Sequence, residues 1–588
     1  MTRSLGPKPS FWHTGATGGW TVLFACWAPI GLLWLLWSGA KVASLYRGDV
    51  ANFGAEFIVA LLHQDYAQAW PGTPTALVVL VWLVMFGALS GLTWWGWTFA
   101  ASRWSAPDDP VAALARDPGV ENLTVSATTT RAVQLRRSLP GDKRLEPGEV
   151  GLLLGELMLP RGKGPVLFSS WEDTITAFMA PRSGKTTALA IPYVLSAPGP
   201  VVVTSNKADL WAATAALRKK VWLFDPQHIT YQRQGFWWNP LDGLDTVEDA
   251  HRLAGHFVLT VDDPQKKDLW GPAAQDLLSA LFLAAAGSGG NLRQVARWLD
   301  EPGVPTPIEL LSASGFELMA SSLQGTQHGA VETRDGIYQT ARTAAKCLRD
   351  EEIITWVTPQ PGLPSFNPSD FTDETTLYLL SKSRSAASPL IAALTDATMR
   401  AAERRAERSG GRLDPPLVVV LDEAANICRI ADLPELYSHL GSRGIIPVTI
   451  LQSYEQGVTV WGEPGMAALW GATTRKLIGA GVDSPRLVRD LATLVGQHDV
   501  PTSSLTYGDG RTSEQVSLRR QDILEPAAIR ALPPNTALLL ATGGKPALLH
   551  LKPWYRSLQA DGITVCIQKA EAAISAGAAR YADRRNLT

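Results

Sequence analysis

Two long apolar runs stand apart from the rest of the chain. Residues 21–40 carry no charge over 20 positions, and residues 75–102 carry none over 28. At about 1.5 Å per residue the first reaches roughly 30 Å, the thickness of the hydrocarbon layer, and the second is long enough to cross at a tilt. Lys41 and Arg103 close the runs. Trp20, Trp34 and Trp37 flank or end the first, and Trp94, Trp95 and Trp97 crowd the end of the second, as in interfacial aromatic belts. The pattern predicts a two-helix membrane anchor over residues 1–104, in contact with lipid. A cleaved signal is disfavoured, because its apolar core usually spans about 7–15 residues. Arg103, Arg116, Arg131, Arg136 and Arg137 follow the second run and place the C-terminal part in the cytoplasm, with 41–74 outside. The implied location is the inner or plasma membrane, multi-pass.

Beyond residue 104 the pattern changes to short apolar strands and 3–4-spaced helices. Strands are predicted at 174–180, 200–204, 221–224, 375–380, 417–421, 446–451 and near 475–478. Their near-continuous apolar character fits a parallel sheet covered on both faces. Residues 270–286, 291–299 and 336–348 have helical spacing, so 249–350 reads as an all-helical insertion. A long helix follows at 388–408, and shorter ones at 465–470 and 485–494. Residues 502–515 read as a polar, Gly-containing loop. Residues 536–541 and 547–551 form a hairpin across Gly543–Gly544. The last thirty residues are Ala-rich and read as a loose helix.

Composition narrows the class. The 588 residues are too many for one ordinary domain. Charged residues make up 18%, below the usual value of about 25%, which excludes a disordered, highly charged chain. Lys plus Arg number 53 against 55 Asp plus Glu, and outside residues 1–104 the balance is 48 against 52. Without a global basic field, any nucleic-acid site must be a local patch. Arg342, Lys346 and Arg349, or Arg400, Arg404, Arg405 and Arg408, are such clusters; the plainer reading of each is a solvated helix face. Cys26, Cys347, Cys428 and Cys566 form no C-x-x-C pair, which fits a reducing compartment.

The chemistry lies at strand ends. Residues 174–187 read TITAFMAPRSGKTT, a strand, a tight loop and a helix start. Such a loop aims backbone N–H groups at phosphates, with a helix N-terminus behind them. Ala180, Pro181, Arg182, Ser183, Gly184, Lys185, Thr186 and Thr187 are the expected ATP-binding residues. Lys185 would reach the β- and γ-phosphates, and Thr186 would hold Mg²⁺. The pattern's first glycine is replaced by Met179. PLVVVLDEAANI (416–427) supplies the second half: a buried strand ending in Asp422 and Glu423. Asp422 suits the Mg²⁺ shell and Glu423 a base for the attacking water. Gln452, at the tip of the 446–451 strand, would sense the γ-phosphate or its water.

These stretches carry a resemblance. APRSGKTT (180–187), WNPLD (238–242), LDEAANICRIADLPEL (421–436), GSRGIIPVTILQSYEQ (441–456) and RRQDILEPAAIRALPPNTALLL (519–540) resemble the type IV coupling proteins of conjugation, the TraG/TraD type within the HerA–FtsK group. The resemblance implies an α/β fold: a RecA-like P-loop nucleotide-binding domain with an all-α insertion, preceded by a two-helix transmembrane hairpin. The parts would be an anchor at 1–104, an ATPase domain at 105–248 and 351–555, the insertion at 249–350 and a tail at 556–588. A TraM-recognition-like region would cover about 416–545. It implies a homo-hexameric, DNA-dependent ATPase using ATP and Mg²⁺. Its expected partners are DNA or a relaxase–DNA complex, an accessory DNA-processing protein and components of the type IV secretion channel. Many relatives have GRSRG where this chain has LGSRG (440–444), so Gly441 falls where an arginine often lies. Arg443 is then the candidate finger supplied in trans. Two other readings are an FtsK-like double-stranded DNA translocase, and a substrate receptor in which nucleotide only controls assembly.

Overall fold

The structure, a computed structural model, describes residues 17–45, 49–103, 109–115, 119–139, 145–261, 269–371, 374–383, 386–508 and 511–586. The chain divides into two compact units, Met1–Pro107 and Asp108–Thr588.

The first unit contains two long helices, Thr17–Ser44 and Thr75–Arg103, corresponding to the two apolar runs. Between them, Ala55–Leu62 and Tyr66–Ala69 fold back around Phe57, Ala69 and Trp70. The Trp37 indole donates to the Ala51 carbonyl at 2.9 Å, fixing this segment to the first helix. Among the described residues one stretch, Thr75–Gly96, is long and apolar enough to cross a membrane. Leu80, Val84, Leu92, Trp94 and Trp95 on it are exposed, as a lipid-facing surface requires.

The described residues of the second unit form thirteen strands. They are β1 (Leu153–Leu157), β2 (Val166–Phe168), β3 (Ile175–Phe178), β4 (Val201–Ser205), β5 (Lys220–Phe224), β6 (Thr375–Leu380), β7 (Leu417–Asp422), β8 (Ile445–Leu451), β9 (Arg475–Gly479), β10 (Gln497–Gly508), β11 (Arg511–Asp522), β12 (Thr536–Ala541) and β13 (Ala547–His550). Eleven form one sheet in the order β2-β1-β13-β12-β9-β3-β8-β7-β4-β6-β5. The stretch from β9 to β5 is parallel, and the other four strands extend it antiparallel. Alternate residues of β7 enter different cores: Val418 and Val420 on one face, Leu417, Val419 and Leu421 on the other. Burial on both faces is why its sequence is apolar without alternation.

The chain leaves the sheet after β5 and returns at β6, its parallel neighbour, with Lys220 opposite Thr375. From Val247 to Ile354 the described elements are all helices, around the buried helix Trp270–Gly287. The Ser388–Arg408 helix follows β6.

Three expectations change. Residues 502–515 are not a loop: β10 and β11 form a regular antiparallel ribbon from Gln497↔Asp522 to Gly508↔Arg511. Polar Ser and Thr at strand positions carry no apolar alternation, so the pattern hid the pairing. Strands β1 and β2 were not read, since Gly155 and short length interrupt their pattern. The last segment is a helix, Ala560–Asn586, but not a loose one. Ile563 is buried, and the Tyr581 hydroxyl donates to Glu352 at 2.6 Å with its ring 4.7 Å from that of His228.

Candidate nucleotide site

Sheet order builds the site. β8 lies between β3 and β7, with Phe178 opposite Leu451 and Asp422 opposite Ile450. The loop after β3, the Asp-Glu pair ending β7 and Gln452 after β8 therefore emerge side by side. Ligands of open parallel sheets bind at these carboxyl ends.

The loop after β3 is tightly wound. Met179 still belongs to the sheet, its N–H donating to Leu451 O at 2.9 Å, and Ala180 N–H donates to Ala480 O at 3.2 Å. The Ser183 hydroxyl returns to Ala180 O at 2.6 Å. Pro181 and Arg182 are exposed. Gly184 has φ 100°, a left-handed conformation suited to glycine. A wide π-type turn, Lys185–Ala190, leads into the helix Ile191–Ser196. The Thr187 hydroxyl donates to Gly184 O at 3.3 Å.

Lys185 Nζ contacts Glu423 Oε1 directly and lies 3.7 Å from Asp422 Oδ1. Glu423 also accepts from Gln452 Nε2 at 2.5 Å and Asn426 Nδ2 at 2.6 Å. Its backbone is left-handed, φ 61°, an unusual conformation for a non-glycine residue and one that gathers at functional sites. Asp422 Oδ1 is buried and accepts no hydrogen bond, while the Thr186 hydroxyl lies 3.4 Å from Oδ2.

The two carboxyls are pushed apart. Burial, reinforced by the Glu423 charge against the opposing pull of Lys185, raises Asp422 to about 6. Burial also works to raise Glu423, but the hydrogen bond and charge of Lys185, with Gln452 and Asn426, leave it below the ordinary carboxylate range. A carboxylate oxygen without a donor beside a hydroxyl is a fitting place for a divalent cation whose other ligands are phosphate and water. Thr186 and Asp422 would hold Mg²⁺ there. Among the described residues no group of three His, Cys, Asp or Glu converges on a metal site.

Sequence reasoning missed Asn426 and Asn535. Asn426 is one helical turn after Glu423, and its i+3 spacing was the available signal. Asn535, at φ 59°, donates its N–H to Ser183 O at 3.3 Å, and its side-chain oxygen fills the space beside Gly184. It arrives from the turn before β12, far along the chain, so no local pattern announced it.

The structure does not bring Arg443 to this site within the chain. It lies before β8, at the end opposite Gln452, about 20 Å away for a seven-residue strand. Its guanidinium pairs with Glu403 at 3.3 Å and with Glu407, two carboxylates of the Ser388–Arg408 helix. A side chain at Gly441 would collide with the Glu172 carbonyl oxygen, so an arginine has no room there. The basic clusters are also dispersed. Arg349 pairs with Asp300, Arg342 Nε donates to Tyr338 O, and Arg400 pairs with Asp396 and Asp432.

Residues 416–534 match the family model described as the TraM recognition site of TraD and TraG. That span starts at the Asp-Glu strand and runs through β11. In this span the chain is similar to the conjugative proteins TraD and TraG. Two curated relatives, both named conjugal transfer protein TraG from Escherichia coli, are 24% identical. One aligns over 421 residues, 65% of this chain and 64% of the relative, and the other over 351, 53% of each. The chain thus spans less than two thirds of the length of either. Among solved structures, the unbound bacterial conjugative coupling protein TrwBdeltaN70 is 18% identical, with TM-score 0.50 over 71% of this chain and 91% of that one. The plasmid coupling protein TrwB with the ATP analogue ADPNP is 17% identical, with TM-score 0.50 over 70% and 96%. This likeness shows a shared α/β fold.

Proposed function

We propose that the chain is a membrane-anchored ATPase that couples DNA or nucleoprotein substrates to a type IV secretion channel and drives their transfer. The observation that carries this is the convergence of Lys185, Thr186, Asp422, Glu423 and Gln452 at the ends of three adjacent parallel strands, in a chain matching the TraM recognition region.

In this reading Lys185 leaves Glu423 and moves onto the phosphates when nucleotide binds. The released Glu423, held by Asn426 and Gln452, orients and deprotonates the attacking water. Before nucleotide binds, Lys185, Gln452 and Asn426 keep it deprotonated, and the departure of Lys185 raises its affinity for the water's proton. Thr186 and Asp422 hold Mg²⁺, which when bound neutralises charge on the phosphates. The loop from Ala180 to Thr187 cradles those phosphates with backbone N–H groups. TrwB bound to an ATP analogue supports nucleotide as the ligand.

The reading extends to a RecA-like P-loop domain at 105–248 and 351–555, a helical insertion at 249–350 and a tail at 556–588. It includes a multi-pass anchor within 1–104 in the inner or plasma membrane, the ATPase facing the cytoplasm, and a homo-hexamer. Partners are a relaxase–DNA complex, an accessory DNA-processing protein and the channel. Lys185→Ala tests it in cells: the variant should reach the membrane in normal amount yet abolish substrate transfer. Transfer at the wild-type level by that variant would contradict the reading.

A further inference from the structure

A cavity of about 330 Å³ lies behind Glu423, sharing no residue with the phosphate loop. Four parts of the second unit line it: Thr260 and Lys346 from the helical segment, Ser388 at the start of the Ser388–Arg408 helix, Asn426 and Arg429 after β7, and Thr459 on the Tyr454–Ala472 helix.

Its chemistry is one-sided. Lys346 and Arg429 line it beside three hydroxyl residues that donate to backbone carbonyls, and no carboxylate is among its lining residues. Arg429 is anchored through the backbone, Nε to Ala425 O at 2.9 Å and Nη1 to Leu259 O at 3.4 Å. Lys346 is exposed and has no ion-pair partner among the described residues, in contrast to Arg349 of the same basic cluster. The 21-residue helix beginning at Ser388 adds the positive end of its dipole. The volume is at the lower end for small-ligand sites, roughly 300–1,000 Å³.

We infer that this cavity binds a phosphate ester, supplied by a nucleic-acid strand or by a free phosphate compound, and that its occupancy bears on Glu423 through Asn426. The inference rests on Glu423 being the group that activates water. Asn426 lines the cavity and donates to Glu423 Oε2 at 2.6 Å, so an anion drawn to Lys346 and Arg429 acts on the same short turn that positions the carboxylate. The site thereby offers a path by which a bound strand alters ATP turnover.

The test uses the full chain in detergent, as wild type, Lys346→Glu and Lys346→Arg. Fluorescence anisotropy reads binding of a labelled 30-nucleotide single strand across salt concentrations. Calorimetry reads inorganic pyrophosphate binding in the Lys185→Ala background, where the nucleotide site is disabled. If a strand supplies the phosphate, Lys346→Glu weakens strand binding about tenfold and lowers the salt slope by about one, Lys346→Arg restores both, and strand-dependent change in ATP turnover is lost while basal turnover stays. Loss of pyrophosphate binding with unchanged strand binding supports the site with a free phosphate compound as its ligand. Unchanged binding of both probes in Lys346→Glu overturns the inference. Absence of ATP turnover in the wild type would count against the ATPase reading instead, and the binding measurements stand apart from it.

Discussion

The Met179 side chain occupies the space a Cβ on Gly479 would need, its Cγ and Cε atoms lying 2.7 Å from that point. β3 and β9 are neighbours, Phe178 opposite Ile478, so Met179 is received by the adjacent strand. This accounts for a methionine at the position where the phosphate-loop pattern has its first glycine. Met179 is fully buried and still bonded to the sheet, and the turn starts beyond it.

The pair yields the first prediction. Gly479→Ala should overpack this spot and destabilise the chain by about 2–3 kcal/mol. Met179→Ala should lose apolar contact, and combining the two should cost less than the sum. Thermal unfolding of the four chains measures the coupling. Additive effects would mean that the contact does not set the residue at position 179.

Asp422 gives a pH dependence. Its proton affinity in the folded chain is raised from 3.8 to about 6. A raised folded value gives stability that is full below about pH 4 and lost as pH rises through about 6. Two units correspond to roughly 2–3 kcal/mol. Without nucleotide or Mg²⁺, Asp422→Asn should melt above the wild type at pH 7.5, and the gap should close by about pH 4. Equal melting at both pH values would contradict it.

The elements closest to the chemistry were the most legible. The strands ending at Phe178, Asp422 and Leu451 are buried on both faces, so their apolar runs marked the ends where Lys185, Asp422, Glu423 and Gln452 converge. The fold's edges were less legible. β10 and β11 are rich in Ser, Thr and charged residues and carry no apolar alternation in sequence, and β1 joins β13 across nearly the whole second unit. Arg443 shows a similar limit. The fold brings it Glu403 and Glu407 from a helix before β7, partners that no local spacing announced.

Arg443 carries the third prediction. Bound to two carboxylates and a strand length from its own chain's site, it can serve hydrolysis only in a neighbouring subunit, where a finger can be worth about 10³-fold or more. Arg443→Ala and Glu423→Ala should each be inactive alone, and mixed assemblies should recover activity. No recovery in assemblies proven to be mixed would assign Arg443 to its Glu403 and Glu407 contacts alone. Gly441→Arg should fail to fold normally rather than add activity, because of the Glu172 carbonyl.

The central claim is that Lys185 and Glu423 form one ATP-hydrolysing site. The most direct measurement is ATP turnover by the purified full chain with Mg²⁺, beside Lys185→Ala and Glu423→Gln. The wild type should hydrolyse ATP, and each variant should be slower by about 10²-fold or more, with Glu423→Gln still binding ATP. Turnover in Lys185→Ala equal to the wild type would contradict the account.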